Sequence, residues 1–355
     1  MGVHYGAEAD GGQFNSEKGR TTMAATMTAR TTMKAVRIHS FGGPDVLRFE
    51  EAPKPEPKPN ELLVRIKAAG VNPVDWKIRE GHLGKPPLPS IMGSDFSGEV
   101  ESLGANVTPI RFGNGLAPKQ FPTGFSINEP VFGVVSDESG GYAEYAVAPA
   151  SQVVRKPDSL SHFEAAALPI ASLTAWQALF DAAKLEAGQK VLIHAAAGGV
   201  GGFAVQLAKW KGAHVIGTAS GSRIQSVREL GADEVVDYRT AKFEEIVRDA
   251  DVVFDTIGGE TQERSWKVLA PGGILVSIVQ PPSEAAAAAK GLRAAFVICD
   301  AGREGELAQI AELAADRRLK IPIATVLPLS EARQAQQLSQ SGHTQGKIIL
   351  RVSED

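Results

Sequence analysis

The stretch His194-Ala195-Ala196-Ala197-Gly198-Gly199-Val200-Gly201-Gly202-Phe203 decides the fold. It follows the apolar run Lys190-Val191-Leu192-Ile193 and leads into Ala204-Val205-Gln206-Leu207-Ala208-Lys209, which reads as a helix. A strand, a glycine-rich turn and a helix place free backbone N–H groups at the helix N-terminus, where they face a bound phosphate. Missing side chains let a pyrophosphate approach the main chain, so Ala195, Gly198, Gly199, Val200 and Gly201 are the candidate cradle of a dinucleotide. The spacing Ala195, Gly198, Gly201 is A-x-x-G-x-x-G, a variant of G-x-G-x-x-G. Turns of this kind also serve structure alone, because glycine reaches left-handed conformations at no steric cost. The flanking segments carry the decision.

Downstream, strands and helices alternate. His214 to Thr218 is a second strand, followed by a helix from Arg223 to Leu230. Glu234 to Asp237, Asp251 to Asp255, Gly273 to Ile278 and Ala294 to Cys299 are four more strands. Nearly all-apolar strands alternating with helices predict a doubly wound parallel sheet of the α/β class. Upstream, two helices interrupted at Pro169 are expected over Phe163 to Leu168 and Ser172 to Ala183. From Met33 to about Val147 the chain is different. Short strands alternate with Gly/Pro turns, as in a compact β-rich domain. Val131 to Val135 and Tyr142 to Val147 are expected to be strands joined through Ser139-Gly140-Gly141. After a helix over Gly305 to Asp316, strand-like segments at Ile323 to Leu329 and Lys347 to Val352 are expected to rejoin that β-rich part.

The 355 residues suffice for two cores. A net charge of −4 gives no general nucleic-acid or anionic-membrane surface. No apolar run approaches the roughly 20 residues that a membrane span needs. Residues 1–32 lack both a periodic apolar pattern and a signal-peptide core, and are expected to be a disordered tail. The expected location is the cytoplasm. The single cysteine, Cys299, excludes a disulfide framework and a multi-cysteine zinc site within one chain, and is expected to be a buried strand thiol.

The end of the second strand reads the ribose. An Asp or Glu there holds the 2′-hydroxyl of NAD. Here the strand ends Thr218-Ala219-Ser220-Gly221-Ser222-Arg223, without an acid. A small residue leaves room for a 2′-phosphate, Arg223 offers a fork of donors, and Ser220 and Tyr238 can reach the same corner. Arg223 is otherwise an exposed helix start, and Tyr238 a strand-edge residue. NADPH is therefore the expected cofactor.

The motifs A-A-G-V-N-P-V-D (Ala68 to Asp75), G-S-D-F-S-G (Gly93 to Gly98), G-G-Y-A-E-Y (Gly140 to Tyr145), A-L-P-x-A-x-L-T-A-W (Ala167 to Trp176) and H-A-A-A-G-G-V-G (His194 to Gly201) resemble the medium-chain dehydrogenase/reductase superfamily. The resemblance extends through V-V-F-D-T-I-G-G (Val252 to Gly259) and S-G-H-T-Q-G-K-I-I-L (Ser341 to Leu350), and is strongest to the zinc-independent quinone oxidoreductase and enone (alkenal) reductase branch. It implies a GroES-like catalytic domain over 33–157 and 318–355 and a Rossmann NADP-binding domain over 158–317. One departure is an apparent extra loop from Ile110 to Gly124, with Asn128-Glu129-Pro130 where a Gly-Asp pair is expected.

The resemblance places Asn72 and Lys77 at the nicotinamide, where both can donate to a developing enolate oxygen. The bland reading is a helix capped by Asn72 or Asp75 with Lys77 exposed. Asp75 is read as structural, and no His-Glu pair follows Gly93, so Asp95 stands alone as a candidate zinc ligand. Thr174 is placed at the cofactor or in the core. Thr256, Gly258, Ser277 and Val279 lie at the C-terminal ends of strands, where ligands of such sheets bind. Lys347 either reaches the cofactor or starts the last strand. No residue stands out as the general acid. The expected activity is hydride transfer from NADPH to a quinone or to the β-carbon of an α,β-unsaturated carbonyl. The alternatives are an enoyl-thioester reductase and a non-enzymatic NADPH-binding protein. Relatives in this branch commonly form homodimers or larger homo-oligomers.

Overall fold

The structure, a computed structural model, describes residues 31–108 and 124–353. The tail expected over 1–32 and the extra loop expected over 110–124 lie almost wholly outside the described residues.

The first half is β-rich. In chain order it comprises β1 (Thr32–Ile38), β2 (Leu47–Pro53), β3 (Glu61–Val71), helix α1 (Pro73–Arg79), β4 (Ser90–Ile91), β5 (Asp95–Leu103), β6 (Pro130–Val134), β7 (Tyr145–Pro149) and β8 (Val153–Arg155). β1 pairs antiparallel with β2 and β4 in a small three-stranded sheet. The long β3 is the spine of a second sheet, paired antiparallel with β5 and β7. Its inward residues Leu62, Val64 and Ile66 pack with Phe96, Val100, Val131 and Ala146. The two strands expected on either side of Ser139-Gly140-Gly141 form, but they do not pair with each other. β6 pairs with β5 and β8, whereas β7 pairs with β3. Gly140 sits against Ile91 of β4, where an added Cβ would lie 2.4 Å from the Ile91 carbonyl oxygen, so this glycine pair serves a close backbone crossing.

Two helices, α2 (His162–Ala166) and α3 (Pro169–Trp176), lead to the parallel sheet. Pro169 does not interrupt a helix; it opens one. Its missing N–H falls among the unpaired donors of the first turn. After Trp176 the helix widens into a π-turn over Gln177–Ala182. Then follow β9 (Lys190–Ile193), α4 (Gly199–Lys211), β10 (His214–Ala219), α5 (Ile224–Glu229), β11 (Glu234–Asp237), α6 (Phe243–Ile246), β12 (Ala250–Asp255), α7 (Gly259–Ser265), β13 (Leu269–Ser277), α8 (Glu284–Ala288) and β14 (Arg293–Phe296).

These six strands are parallel in the order β11-β10-β9-β12-β13-β14, a doubly wound sheet. Both faces are covered, which explains the continuous apolar strands. Val191 and Ile193 face Leu173, Phe203 and Leu207, whereas Leu192 faces Phe243, Val253 and Trp266. β14 is shorter than expected. Cys299 lies beyond it, half-buried rather than in the strand.

The chain continues through α9 (Glu306–Ala315), β15 (Ile323–Pro328), α10 (Ala332–Gln340) and β16 (Lys347–Arg351). β16 pairs parallel with β15 and antiparallel with the Ala68–Val71 end of β3, completing the seven-stranded sheet. Among the described residues, no helix is long and apolar enough to cross a membrane.

Candidate functional site

The glycine turn has the expected form. β9 ends at Ile193, and Ala195 then takes φ +47°, which reverses the chain. The turn closes with the Gly198 N–H on the Ala195 carbonyl at 2.9 Å. Gly198 is the N-cap of α4 and no side chain caps the helix, so the N–H groups of Gly199, Val200 and Gly201 lack intrahelical partners. An added Cβ at Gly201 would lie 2.3 Å from the Ala195 carbonyl oxygen, which makes glycine obligatory there. A cavity of about 200 Å³ borders the turn, lined in part by Gly198, Gly199, Gly202, Ser226, Gln345 and Lys347. An uncapped helix N-terminus beside a cavity fits a dinucleotide pyrophosphate.

His194 is buried beside this turn. Its ring meets the Thr218 hydroxyl at 3.2 Å and the Ser265 hydroxyl at 2.9 Å, and burial pushes its pKa down to about 4. It is a neutral structural imidazole. Thr256 donates its hydroxyl to the His194 carbonyl at 2.8 Å. Asp255 organises the next strand ends by accepting the Gly258 N–H and the Ser277 hydroxyl, each at 2.9 Å. The Thr256 and Ser277 hydroxyls are thus already engaged, and Val279 is exposed nearby on the chain.

At the end of β10, where the sequence places the ribose, Ser220 is buried and its carbonyl accepts the Arg223 N–H at 2.7 Å. Tyr238 is 55 % exposed and its N–H donates to the Ala219 carbonyl at 3.2 Å, so it stands beside the end of β10. Arg223 is not a free donor: its guanidinium bonds the His343 carbonyl. An acid also reaches this corner from the neighbouring strand. A Cβ on Gly221 would lie 3.6 Å from Asp237 Oδ2. The end of β10 alone does not show this approach, because Asp237 closes β11.

The second centre is a buried polar cluster. Asn72 precedes Pro73 at the start of α1 and is 3 % exposed. Its Nδ2 donates to Asp95 Oδ2 at 2.8 Å and its Oδ1 accepts from Lys347 Nζ. Its backbone N–H donates to Asp75 Oδ2 at 2.7 Å, and the Tyr142 hydroxyl donates to the same oxygen at 2.8 Å. Asp75 Oδ1 is buried without a hydrogen-bond partner among the described residues. Burial, partly offset by the Asn72 N–H and the Tyr142 hydroxyl, pushes the Asp75 carboxyl up to about 7. Burial also raises the Asp95 carboxyl, against the opposing pull of Lys347, and holds the Tyr142 phenol well above its ordinary value.

Asp95 belongs to this cluster. It is fully buried, its Oδ1 accepts the Ile170 N–H at 2.9 Å, and its Oδ2 lies 3.4 Å from Lys347 Nζ. Sequence reasoning missed it because its partners lie 23, 75 and 252 residues away.

Lys347 joins the two centres. Its stem lies against the turn: a Cβ on Gly199 would sit 3.2 Å from Lys347 Cδ. Its ammonium has three acceptors, Asn72 Oδ1, the Val71 carbonyl at 3.3 Å and Asp95 Oδ2. Lys77 is not in this cluster. It is half-exposed on α1, with its ammonium 5.7 Å from the Trp76 ring. Thr174 is buried and donates to the Ile170 carbonyl at 2.6 Å. Cys299 lies beside the Thr174 hydroxyl, and burial pushes its thiol up to about 12, which leaves no thiolate. Among the described residues, no three His, Cys, Asp or Glu side chains gather as a metal ion would need.

Fold and site together define an α/β protein of three sheets, with a phosphate-type turn against a buried polar cluster. Comparison with known proteins agrees. The family described as alcohol dehydrogenase GroES-like domain matches residues 58–158, and that described as zinc-binding dehydrogenase matches 230–350. The chain is 34 % identical over 345 residues to a chloroplastic quinone-oxidoreductase homolog of Spinacia oleracea, covering 91 % of this chain and 99 % of the relative. A solved quinone oxidoreductase from Coxiella burnetii superposes with a TM-score of 0.81 at 35 % identity, over 91 % of this chain and 100 % of that one. A mycobacterial protein solved in complex with NADPH superposes with a TM-score of 0.78 at 28 % identity, over 90 % of this chain and 100 % of that one. The chain belongs to the medium-chain dehydrogenase/reductase superfamily, in its quinone oxidoreductase branch, and is an oxidoreductase.

Proposed function

We propose that the chain is an NADPH-dependent, zinc-independent reductase of quinones or of α,β-unsaturated carbonyls. The observation that carries this reading is the junction at Lys347, which sets the glycine turn and the Asn72 amide side by side. NADPH, when bound, supplies the hydride. The unpaired N–H groups of Gly199, Val200 and Gly201 hold the pyrophosphate. Ser220, Arg223 and Tyr238 would hold the 2′-phosphate, for which the Arg223 guanidinium, now on the His343 carbonyl, would supply charge-assisted donors. Thr256, Gly258, Ser277 and Val279 contribute through their places at or just beyond the ends of β12 and β13, and Thr174 from α3. Asn72 donates to the substrate carbonyl oxygen, where negative charge develops, with Lys77 as a second donor on the same helix. A polarised enone or quinone needs no Lewis acid for this step, and the sole cysteine has a raised pKa and lies beside Thr174 rather than in a ligand set.

The names of the relatives support the quinone class. A homo-oligomer belongs to the same reading, supported by the open edge of β14, where Phe296 and Ile298 are exposed. The test is cofactor oxidation measured with NADPH and with NADH across quinones, enones, alkenals and enoyl-thioesters. Faster turnover of quinones or enones with NADPH, insensitive to strong chelators, is expected. Turnover confined to enoyl-thioesters, or tight NADPH binding with no turnover, would replace this reading with one of its alternatives.

A further inference from the structure

The Asn72 amide is held at both ends by opposite charges. Asp95 Oδ2 accepts from its Nδ2 at 2.8 Å, and the Lys347 ammonium donates to its Oδ1. An asparagine side chain can be turned over in its site, exchanging O and N, and only its partners decide which way it points. Here the reversed amide would set its NH₂ against an ammonium and its carbonyl against a carboxylate. Two charge-assisted bonds would become two repulsions. The amide has two N–H hydrogens, and Asp95 takes one; the second has no acceptor among the described residues. The ammonium, in turn, has three hydrogens and three acceptors, all of them protein atoms. Lys347 therefore has no hydrogen left for a phosphate while this arrangement stands.

We propose that Asp95 and Lys347 form a clamp that fixes the orientation of the Asn72 amide, with Asp95 as its positioning residue, so that the one uncommitted amide N–H is offered to the substrate carbonyl oxygen. The proposal rests on the reductase reading and reassigns Lys347 from a cofactor ligand to a part of the clamp. Asp95 itself is anchored from the other side by the Ile170 N–H, so the carboxylate cannot follow the amide if the amide turns. The Lys347 stem against Gly199 ties the clamp to the turn that holds the cofactor.

The test is a cycle of four proteins: the parent, Asp95→Asn, Asn72→Ala and the double variant. Each is measured for kcat on a quinone and for NADPH affinity by tryptophan fluorescence. Asp95→Asn is expected to lower kcat by roughly tenfold to a hundredfold. NADPH affinity should stay within about threefold, and Asp95→Asn should cost nothing further in the Asn72→Ala background. An equal loss of kcat in both backgrounds, or a loss confined to NADPH affinity, overturns the clamp. If Asp95→Asn does not fold, Asp95→Asn with Lys347→Met, which removes both charges, takes its place in the cycle. A readout without turnover is hydrogen exchange at the Asn72 side-chain amide by NMR. One slowly exchanging proton in the parent, lost in the Asp95 variant, is expected; two fast protons in the parent overturn the clamp. A parent that turns over no substrate overturns the reductase reading instead, and the exchange measurement still decides the clamp.

Discussion

The glycine turn and the buried cluster meet at Lys347, yet they are built in opposite ways. The turn is local: Ala195 to Gly202 is one unbroken stretch whose bonds join near neighbours, such as Gly198 N–H to the Ala195 carbonyl. The cluster is assembled from α1, β5, Tyr142 and β16, and almost every bond in it spans a long stretch of chain. The turn presents uncommitted donors to a ligand, whereas the cluster spends nearly all of its donors on itself. A surface that must accept a phosphate can be written in ten residues. A surface that must hold one amide in one orientation requires charges brought in from elsewhere, and desolvation then raises the carboxyls of Asp75 and Asp95 together.

This contrast can be broken by mutation, and the largest effect belongs to the cluster. Lys347→Met leaves the Asp95 carboxylate buried without its cation, and should cost roughly 3–5 kcal/mol in chemical denaturation. A loss below about 1 kcal/mol would show that the pair behaves like a surface ion pair.

Next comes pH. The Asp75 carboxyl is raised to about 7 from 3.8, so the folded protein keeps a proton that the unfolded chain has released. Asp75 therefore contributes stability that is complete below its unfolded value and is lost as pH rises towards and through 7. Between about pH 5 and pH 7 the parent should lose up to ~1.4 kcal/mol per pH unit relative to Asp75→Asn. Tyr142, Asn72, Asp95 and Lys347 all face this carboxyl, so parallel pH curves for the two proteins would mean that the cluster compensates internally.

In the turn, Gly201→Ala should cost about 1–3 kcal/mol of stability and weaken NADPH binding, because the added methyl meets the Ala195 carbonyl at 2.3 Å. An unchanged melting temperature would show that the turn yields. The smallest effect is expected at the ribose corner. Arg223→Ala should narrow the preference for NADPH over NADH by about tenfold, or ~1.4 kcal/mol, read from the two dissociation constants. If the preference is unchanged, or already absent in the parent, Asp237 rather than Arg223 governs that corner.

The same contrast explains how much could be read from the chain. The parallel sheet was legible because strands buried on both faces are apolar runs, and Val191, Leu192 and Ile193 need only their neighbours to be recognised. Sequence reasoning missed the helix Ala332–Gln340 because its apolar stripe is thin: Ala332, Ala335 and Leu338 face the core, and Gln336 is buried beside them. Pro169 read as a break because a proline's missing N–H is harmless only in a first turn, and where a helix begins is set by packing. Asp95 could not be assigned from G-S-D-F-S-G, since nothing near it in the chain carries the opposite charge; its cation arrives 252 residues later. The contact of Arg223 with the His343 carbonyl was not legible, for it depends on where the segment before β16 comes to lie.

The return of β16 to β3 has a kinetic consequence. During synthesis the six parallel strands, Lys190 to Phe296, emerge as one contiguous segment and can pair as they appear. The Ala68–Val71 edge of β3, made far earlier, must wait for Ile348 to Arg351 before its ladder closes. A nascent chain therefore carries an open strand edge through most of its elongation, the kind of edge that invites association between chains. Of the two larger sheets, the one begun first is the one finished last, at the strand that delivers Lys347, and such long-range pairing is intrinsically slow.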